Sequence, residues 1–425
     1  MKVRVDDQTG LIDSAVRFFV TEAPPASSAQ LTISGADGQG HLWESTNDYR
    51  VGADGELVIA DPDEPWTTME FVQPSVAPVV FDACETGLDF GVRVTAGSES
   101  ATTTVRREWG HDLRTEEISG AGWLLTIFRP QVPAGRRPGV IVVPGTIVGP
   151  TVLAIAALFA SHGYISATLF YTQREGLPDA FVQIPIEFIT AGMQAFAGLD
   201  DVDGDAVAVH CSSVGVQTAL SALSHPGAIE PRAVIAVAPS HVVFQALRSD
   251  GPPVKSSALT FGGADLPYVP VKTEKLMGQL IRNMVRRKLS RSPTSLAMVM
   301  LPAYAAGLRD DAAVARAVIP VENIACPILA IAGEDDQSYP AADMARALIE
   351  RRAEKGAPHA EHDSLLTFAD VGHFVRPPAI PTTVDRSDGL VAGGSPAAVG
   401  RAQREAWTAV LAFLAGHLRT RDEPA

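Results

Sequence analysis

The sequence predicts two joined domains: an all-β, immunoglobulin-like sandwich over residues 1–120, and an α/β domain over 121–425 with a helical cap inserted at about 246–320. Three observations predict it. The chain has 425 residues, 46% of them hydrophobic, which is more than one ordinary compact core holds. Up to about residue 120, short and partly alternating apolar runs recur between turn signals such as Ala53-Asp54-Gly55, without helical periodicity. Beyond it, apolar strand-length runs alternate with helix-length segments, the pattern of a mostly parallel sheet covered on both faces.

In the first domain the strands are expected at Val16–Val20, Gln30–Ser34, Glu56–Ala60, Met69–Val72, Gly91–Ala96 and Thr102–Trp109. The glycine-rich stretch Gly35–Gly40 has no helix start behind it, so it reads as a hairpin turn and not a phosphate cradle. The second domain begins with strands at Trp123–Phe128 and Val140–Val143 and a helix at Thr151–Ser161. Strand Ile165–Phe170, helix Pro185–Phe196, strand Ala206–His210, a helix from Val214 and strand Ala233–Val237 follow. Residues from Gln245 to Pro320 interrupt the alternation and read as a largely helical cap over the carboxyl ends of the strands. The alternation resumes with strand Ile328–Ala332, helix Ala341–Lys355, strand Leu365–Phe368 and helix Pro396–His417.

Composition narrows the function classes. Acids outnumber Lys plus Arg by 49 to 34, a net charge of −15. That balance argues against a chain that wraps nucleic acid, which needs a basic face. The three cysteines, Cys84, Cys211 and Cys326, form neither a disulfide framework nor a CxxC metal site. Pro138–Ala160 carries no charge and is long enough to span a bilayer, but Pro144-Gly145 and Gly149-Pro150 break it into strand, turn and helix. No membrane span is expected, and with no apolar leader at the start a cytoplasmic setting is the expectation.

One segment carries chemistry. The run Ala206–His210 leads through Cys211-Ser212-Ser213-Val214-Gly215 into a helix, a strand, sharp turn and helix with Ser213 at the apex. Alone, Ser-x-Gly is as well read as a helix N-cap. Downstream, however, strand Ile328–Ala332 ends in Gly333-Glu334-Asp335-Asp336, and Leu365–Phe368 leads into Asp370-Val371-Gly372-His373. A serine, an acid and a histidine, in that order and each after a strand, form the arrangement of an α/β-hydrolase. Ser213 would be the nucleophile, His373 the base that takes its proton, and Asp336 the group that orients the imidazole, with Asp335 the competing acid. The oxyanion would be held by the backbone N–H of Val214 and one from Thr146 or Ile147. Cys211 is expected to pack beneath the turn, and is the alternative nucleophile.

A basic stretch stands against the acidic background: Lys272, Lys275, Arg282, Arg286, Arg287, Lys288 and Arg291, opposed by Glu274. Arg286, Arg287 and Lys288 are candidates to meet the phosphates of a carrier-linked substrate or the acidic face of a carrier protein; the alternative is a solvated helix face.

Over nearly its whole length the chain resembles the acyl-CoA thioesterase and bile acid-CoA:amino acid N-acyltransferase family. The shared blocks include Trp43-Glu44-Ser45, Arg137-Pro138-Gly139-Val140-Ile141, Ile184-Pro185-Ile186-Glu187-Phe188, Ala238-Pro239-Ser240-His241, Gly333-Glu334-Asp335-Asp336-Gln337 and Gly372-His373. The resemblance implies a β-sandwich joined to an α/β-hydrolase and a triad of Ser213, Asp336 and His373. The departures cluster at the site: Cys211 stands where the family has Gly, Val214 where it has a basic or small residue, and Tyr339 where it has Trp. They imply an altered acyl pocket and oxyanion loop. The expected function is a serine acyl-enzyme catalyst that hydrolyses acyl thioesters of CoA or an acyl carrier protein. Acyl transfer to an amine or alcohol, carboxylester or lactone hydrolysis, and non-catalytic acyl binding are the alternatives. No bound metal or redox cofactor is expected; CoA or phosphopantetheine enters as part of the substrate.

Overall fold

Period-two alternation builds the amino-terminal domain. In Ser28–Ala36 the side chains of Ala29, Leu31 and Ile33 are buried, and in Leu88–Ala96 those of Leu88, Phe90, Val92, Val94 and Ala96. The computed structural model describes residues 1–72, 80–84, 87–131, 135–146, 149–246, 248, 254–289, 297–382 and 390–418. A six-stranded sheet runs in the order Thr9–Leu11, Glu99–Glu108, Leu88–Ala96, Ser28–Ala36, Leu42–Arg50, Glu70–Phe71. It is accompanied by a three-stranded sheet of Lys2–Val5, Phe18–Thr21 and Leu57–Val58. Leu42–Arg50, among the longest strands of this domain, has no counterpart in the sequence reading. Its sequence is mostly polar, and its buried face holds Trp43 beside Ser45, whose hydroxyl is satisfied by the Pro65 carbonyl at 2.6 Å.

The second sheet has eight strands: β1 (Leu113–Gly120), β2 (Trp123–Pro130), β3 (Arg137–Val143), β4 (Ile165–Phe170), β5 (Val202–Ser212), β6 (Ala233–Val237), β7 (Ile328–Gly333) and β8 (Ser364–Phe368). Their spatial order is β1-β2-β4-β3-β5-β6-β7-β8. Strands β3 to β8 pair in parallel, and β1 and β2 join antiparallel at one edge. This corrects the expected domain boundary. Leu113–Gly120 belongs to the second sheet, so the two sheets part between Glu108 and Leu113 and not at residue 120. The strand was illegible because, at the sheet's edge, almost every side chain is polar and exposed.

Eight helices belong to this half among the described residues: α1 (Pro150–Ser161), α2 (Ile186–Ala197), α3 (Val214–Ser224), α4 (Met277–Leu289), α5 (Leu301–Gly307), α6 (Asp311–Ala317), α7 (Ala341–Glu354) and α8 (Pro396–His417). Strand alternation divides the core. Val140 and Val142 pack with α1, α8 and the amino-terminal domain, whereas Ile141 and Val143 pack with α2 and α3. The cap is less helical than expected. Besides α4 to α6 it contains strands Leu259–Phe261 and Ala264–Asp265, which form a small sheet with Ile184–Pro185.

One helix of the cap is turned inside out. Gln279 pairs through both ends of its amide with the backbone of Val299 at 2.9 Å, and Asn283 donates to the Ala297 carbonyl at 3.3 Å. The opposite face of α4 leaves Met277, Leu280, Ile281, Met284 and Val285 exposed. Among the described residues, no helix is long and apolar enough to cross a membrane.

The two domains are joined around a buried carboxylate. Asp13, from the amino-terminal domain, accepts hydrogen bonds from Nε2 of His162 at 2.6 Å and Nε1 of Trp407 at 2.8 Å. Arg404 of α8 reaches back to Asp63 at 2.7 and 2.5 Å. Burial alone would raise the Asp13 carboxyl, but the His162 and Trp407 hydrogen bonds outweigh it and hold it below its ordinary value. A folded carboxyl that binds its proton more weakly than the unfolded one stabilises above its ordinary value, 3.8, and loses that contribution as pH falls through the lower folded value. Asp13→Asn is therefore expected to lower the unfolding free energy at pH 7 by about 1–3 kcal/mol and to flatten the loss of stability below about pH 4. Chemical denaturation at both pH values checks this; an unchanged acid limb would count against it.

Candidate active site

Strand β5 is buried along its second half and stops at Ser212, where the chain must turn sharply into α3. Ser213 takes that turn at φ 54°, ψ −128°, a backbone region that L-residues rarely occupy. Its N–H donates to the Val237 carbonyl at 2.9 Å, which ties the apex to β6. The glycines are steric requirements. A Cβ on Gly215 would lie 2.5 Å from the carbonyl oxygens of both Val143 and Pro144, and one on Gly145 would lie 3.0 Å from Ser213 Cβ. The crowding that demands small residues also pushes the serine hydroxyl beyond the end of the sheet.

Three residues from distant parts of the chain meet there. His373 Nε2 lies 2.9 Å from Ser213 Oγ, and His373 Nδ1 lies 2.7 Å from Asp336 Oδ2. Asp336 and His373 are buried, and the Asp336 carboxylate also accepts the N–H groups of Ser338 at 2.7 Å and Tyr339 at 3.2 Å. Asp335 is directed elsewhere: it accepts from Gln337 Nε2 at 2.7 Å and from Gly394 N–H at 2.8 Å, holding the neighbouring loop. The two adjacent acids thus meet different partners: Asp336, which the sequence reading favoured, meets His373, and Asp335, its competitor, meets the loop.

Cys211 points to the other face of the sheet. Its thiol is fully buried, donates to the Ile235 carbonyl at 3.3 Å, and is pushed far above its usual pKa by burial. Such a thiol does not ionise near neutrality and is not presented to the site. As the first helical residue of α3, Val214 has an N–H with no intrahelical acceptor. Thr146 lies with Ser213 on the wall of the same cavities. Ile147 lies outside the described residues. Arg286 and Lys288 are exposed on α4; the Arg287 side chain is outside the described set. α4 rests on the segment that leads to Met300 and Leu301, whose N–H groups bond the carbonyl of Gln337, next to Asp336.

Two further residues matter here, of which the sequence reading had placed only Tyr339 at the site. Tyr339 packs edge-on against the His373 ring at 5.1 Å, and its hydroxyl donates to the Ala238 carbonyl. Burial, then the nearby Asp336 charge, pushes that phenol far above its ordinary pKa, so it stays a neutral donor. The other is His210, buried in β5 three residues before Ser213. Among the described residues the cluster with metal-ligand spacing is His359, Glu361 and His362. It is exposed and precedes β8, at the end of the sheet opposite Ser213.

The family model described as "BAAT / Acyl-CoA thioester hydrolase C terminal" matches residues 184–420, more than half of the chain and a span that contains Ser213, Asp336 and His373. The chain belongs to this family. It is 24% identical to human acyl-coenzyme A thioesterase 2, mitochondrial, over 430 residues that cover 96% of this chain and 82% of that protein. It is 23% identical to human acyl-coenzyme A thioesterase 1, covering 96% and 94% of the two chains. Among solved structures, a puromycin-hydrolyzing peptidase of Mycobacterium tuberculosis aligns with a TM-score of 0.43 at 15% identity, covering 91% of this chain and 53% of that one.

A fluorophosphonate, which reacts preferentially with an activated serine, is expected to add once to the protein and to Cys211→Ala, and not at all to Ser213→Ala. Intact mass reads the result. Labelling that persists in Ser213→Ala would overturn the nucleophile assignment.

Proposed function

We propose that the protein is a serine-dependent thioesterase that cleaves acyl-CoA or carrier-linked acyl thioesters through an acyl-enzyme. The observation that carries this reading is the hydrogen-bonded relay from Ser213 Oγ through both nitrogens of His373 to a buried, doubly anchored Asp336. Relatives named for acyl-coenzyme A hydrolysis support the substrate class.

The chemistry follows from the geometry. Ser213 Oγ attacks the thioester carbonyl carbon as His373 Nε2 takes the hydroxyl proton. The buried Asp336 carboxylate stabilises the imidazolium and fixes which nitrogen faces the serine. The oxyanion is received by the Val214 N–H and a backbone donor at Thr146. The carbon–sulfur bond then breaks, and the departing thiolate takes the proton from His373. Water enters, gives a proton to the same nitrogen and attacks the acyl-serine; the serine oxygen leaves and recovers its proton, releasing the acid.

A second reading concerns how the acyl group arrives. The exposed apolar stripe on α4 stands beside Arg282, Arg286 and Lys288 in a protein of net charge −15. Free CoA phosphates would use the cations but not the apolar residues. An acidic carrier protein, with an apolar patch inside an anionic helix face, uses both.

Incubation with acyl-CoA is expected to give a transient acyl adduct that is absent in Ser213→Ala, and Asp336→Asn is expected to slow turnover by about 10³–10⁴-fold. Absence of adduct and turnover across chain lengths would overturn the thioesterase reading. Adding amine or alcohol acceptors separates transfer from hydrolysis by the mass of the product. Combining Ile281→Ser with reversal of Arg286 and Lys288 should raise KM for carrier-linked thioesters by about tenfold and spare p-nitrophenyl esters. Equal losses on both would exclude carrier docking at α4.

A further inference from the structure

Ser213 stands between two cavities. One lies on the cap side, where Phe181, Phe244, Tyr304 and Tyr339 enclose about 70 Å³. The other, about 110 Å³, descends from Ser213 and His373 between the sheet and helices α1 and α8. Its deeper wall is apolar, formed by Val142, Val152, Ile331, Trp407 and Val410, with one exception. That exception is His210.

The strand period explains why His210 faces this cavity. Along β5, Ala206, Ala208 and His210 point to the α1 and α8 side, whereas Val207, Val209 and Cys211 point to the other. The imidazole is 8% exposed and packs against the Phe159 ring at 5.5 Å, and its Nδ1 is buried with no hydrogen-bond partner among the described residues. Burial lowers its pKa to about 4, so it is neutral under physiological conditions. A buried imidazole in an apolar wall is disfavoured unless something bonds to it. His210 lines the cavity that opens at Ser213, and it does so with a part of the ring other than Nδ1, which protein atoms enclose.

Depth and volume set the size of what fits. His210 precedes Ser212 by two strand residues, about 7 Å at ~3.3 Å per residue. An extended carbon chain advances ~1.2 Å per bond, so about six bonds separate the level of the nucleophile from that of the ring. A cavity of 110 Å³ is close to the ~150 Å³ that accommodates a six-carbon ring.

We propose that this cavity holds the acyl group of the thioester, and that His210 selects a chain of about six carbons bearing a hydroxyl or ketone oxygen at its far end. The proposal rests on the acyl-enzyme reading of Ser213. A neutral imidazole offers one donor and one acceptor, which suits an alcohol or ketone and not a carboxylate. Arg376, which also lines the cavity, directs its terminal nitrogens to the carbonyls of Phe81 and Pro381 at 3.0 and 2.8 Å. The thiol leaves on the cap side. His210 is thus a specificity-determining residue and takes no part in the proton relay.

The test is a matched series of hexanoyl, 6-hydroxyhexanoyl, 5-oxohexanoyl and adipoyl groups, each presented as a CoA thioester and as a p-nitrophenyl ester. The hydroxy or oxo chain is expected to exceed hexanoyl by about tenfold in kcat/KM on both leaving groups, the effect of one neutral hydrogen bond. His210→Leu should abolish the preference by slowing the oxygenated chains and sparing hexanoyl, and His210→Gln should restore part of it. Equal rates on the unmodified protein, a preference that survives in His210→Leu, or a preference for adipoyl would each overturn the proposal. If His210→Leu does not fold, the series on the unmodified protein decides alone. Thioester turnover without the preference removes the cavity assignment and leaves the thioesterase reading. The preference on p-nitrophenyl esters without thioester turnover does the reverse. No acylation of Ser213 by any member overturns both.

Discussion

The turn at Ser213 is the constraint on which the site depends. A residue held at φ 54° beyond the end of a buried strand is stable only where its surroundings leave the chain no alternative. Here β3 lies on one side and β6 on the other, and Gly145 and Gly215 let the backbones approach closely enough to clamp it. The same approach sets Ser213 Oγ beside His373 and brings the first N–H of α3 to the place where an oxyanion would form. Strain at one residue and alignment of the reacting groups have a single cause.

The layers around the sheet divide the remaining work. On one face, α2, α3 and α7 close an apolar core into which Cys211 is packed, so the thiol two residues before Ser213 is chemically silent. On the other, α1 and α8 leave a cavity that Ser213 lines and continue into the core of the amino-terminal domain. Asp13, His162 and Trp407 meet at that junction, and Trp407 also lines the cavity. The β-sandwich therefore buttresses the wall of the site as well as extending the chain. The cap closes the opposite side with aromatic residues, Phe244, Tyr304 and Tyr339, which pack on one another and on His373.

Much of this was legible because it is written in local periodicity. Strands β6 and β7 read as continuous apolar runs since both of their faces are covered, and helix α8 shows its amphipathic repeat with Pro at its start. Two of the strands that escaped, Leu42–Arg50 and Leu113–Gly120, are polar ones whose hydrogen bonds come from neighbours and not from their own pattern. The cap was read as helical because its strand pair is only three and two residues long and has meaning only beside Ile184–Pro185.

The sequence by itself determined which residues are the candidates for the site and their order along the chain. A serine in a strand-to-helix turn, an acid and a histidine after later strands appear as local motifs, because each needs a particular residue type at a particular kind of turn. The sequence reading favoured Asp336 over the adjacent Asp335, but what each side chain meets was decided by the tertiary structure: Gln337 and Gly394 for Asp335, His373 for Asp336. The inverted face of α4 and the cavity beside His210 were likewise decided in three dimensions. A polar residue in an apolar strand gives no sign in sequence of whether a partner or an empty space awaits it, because that depends on segments far away along the chain.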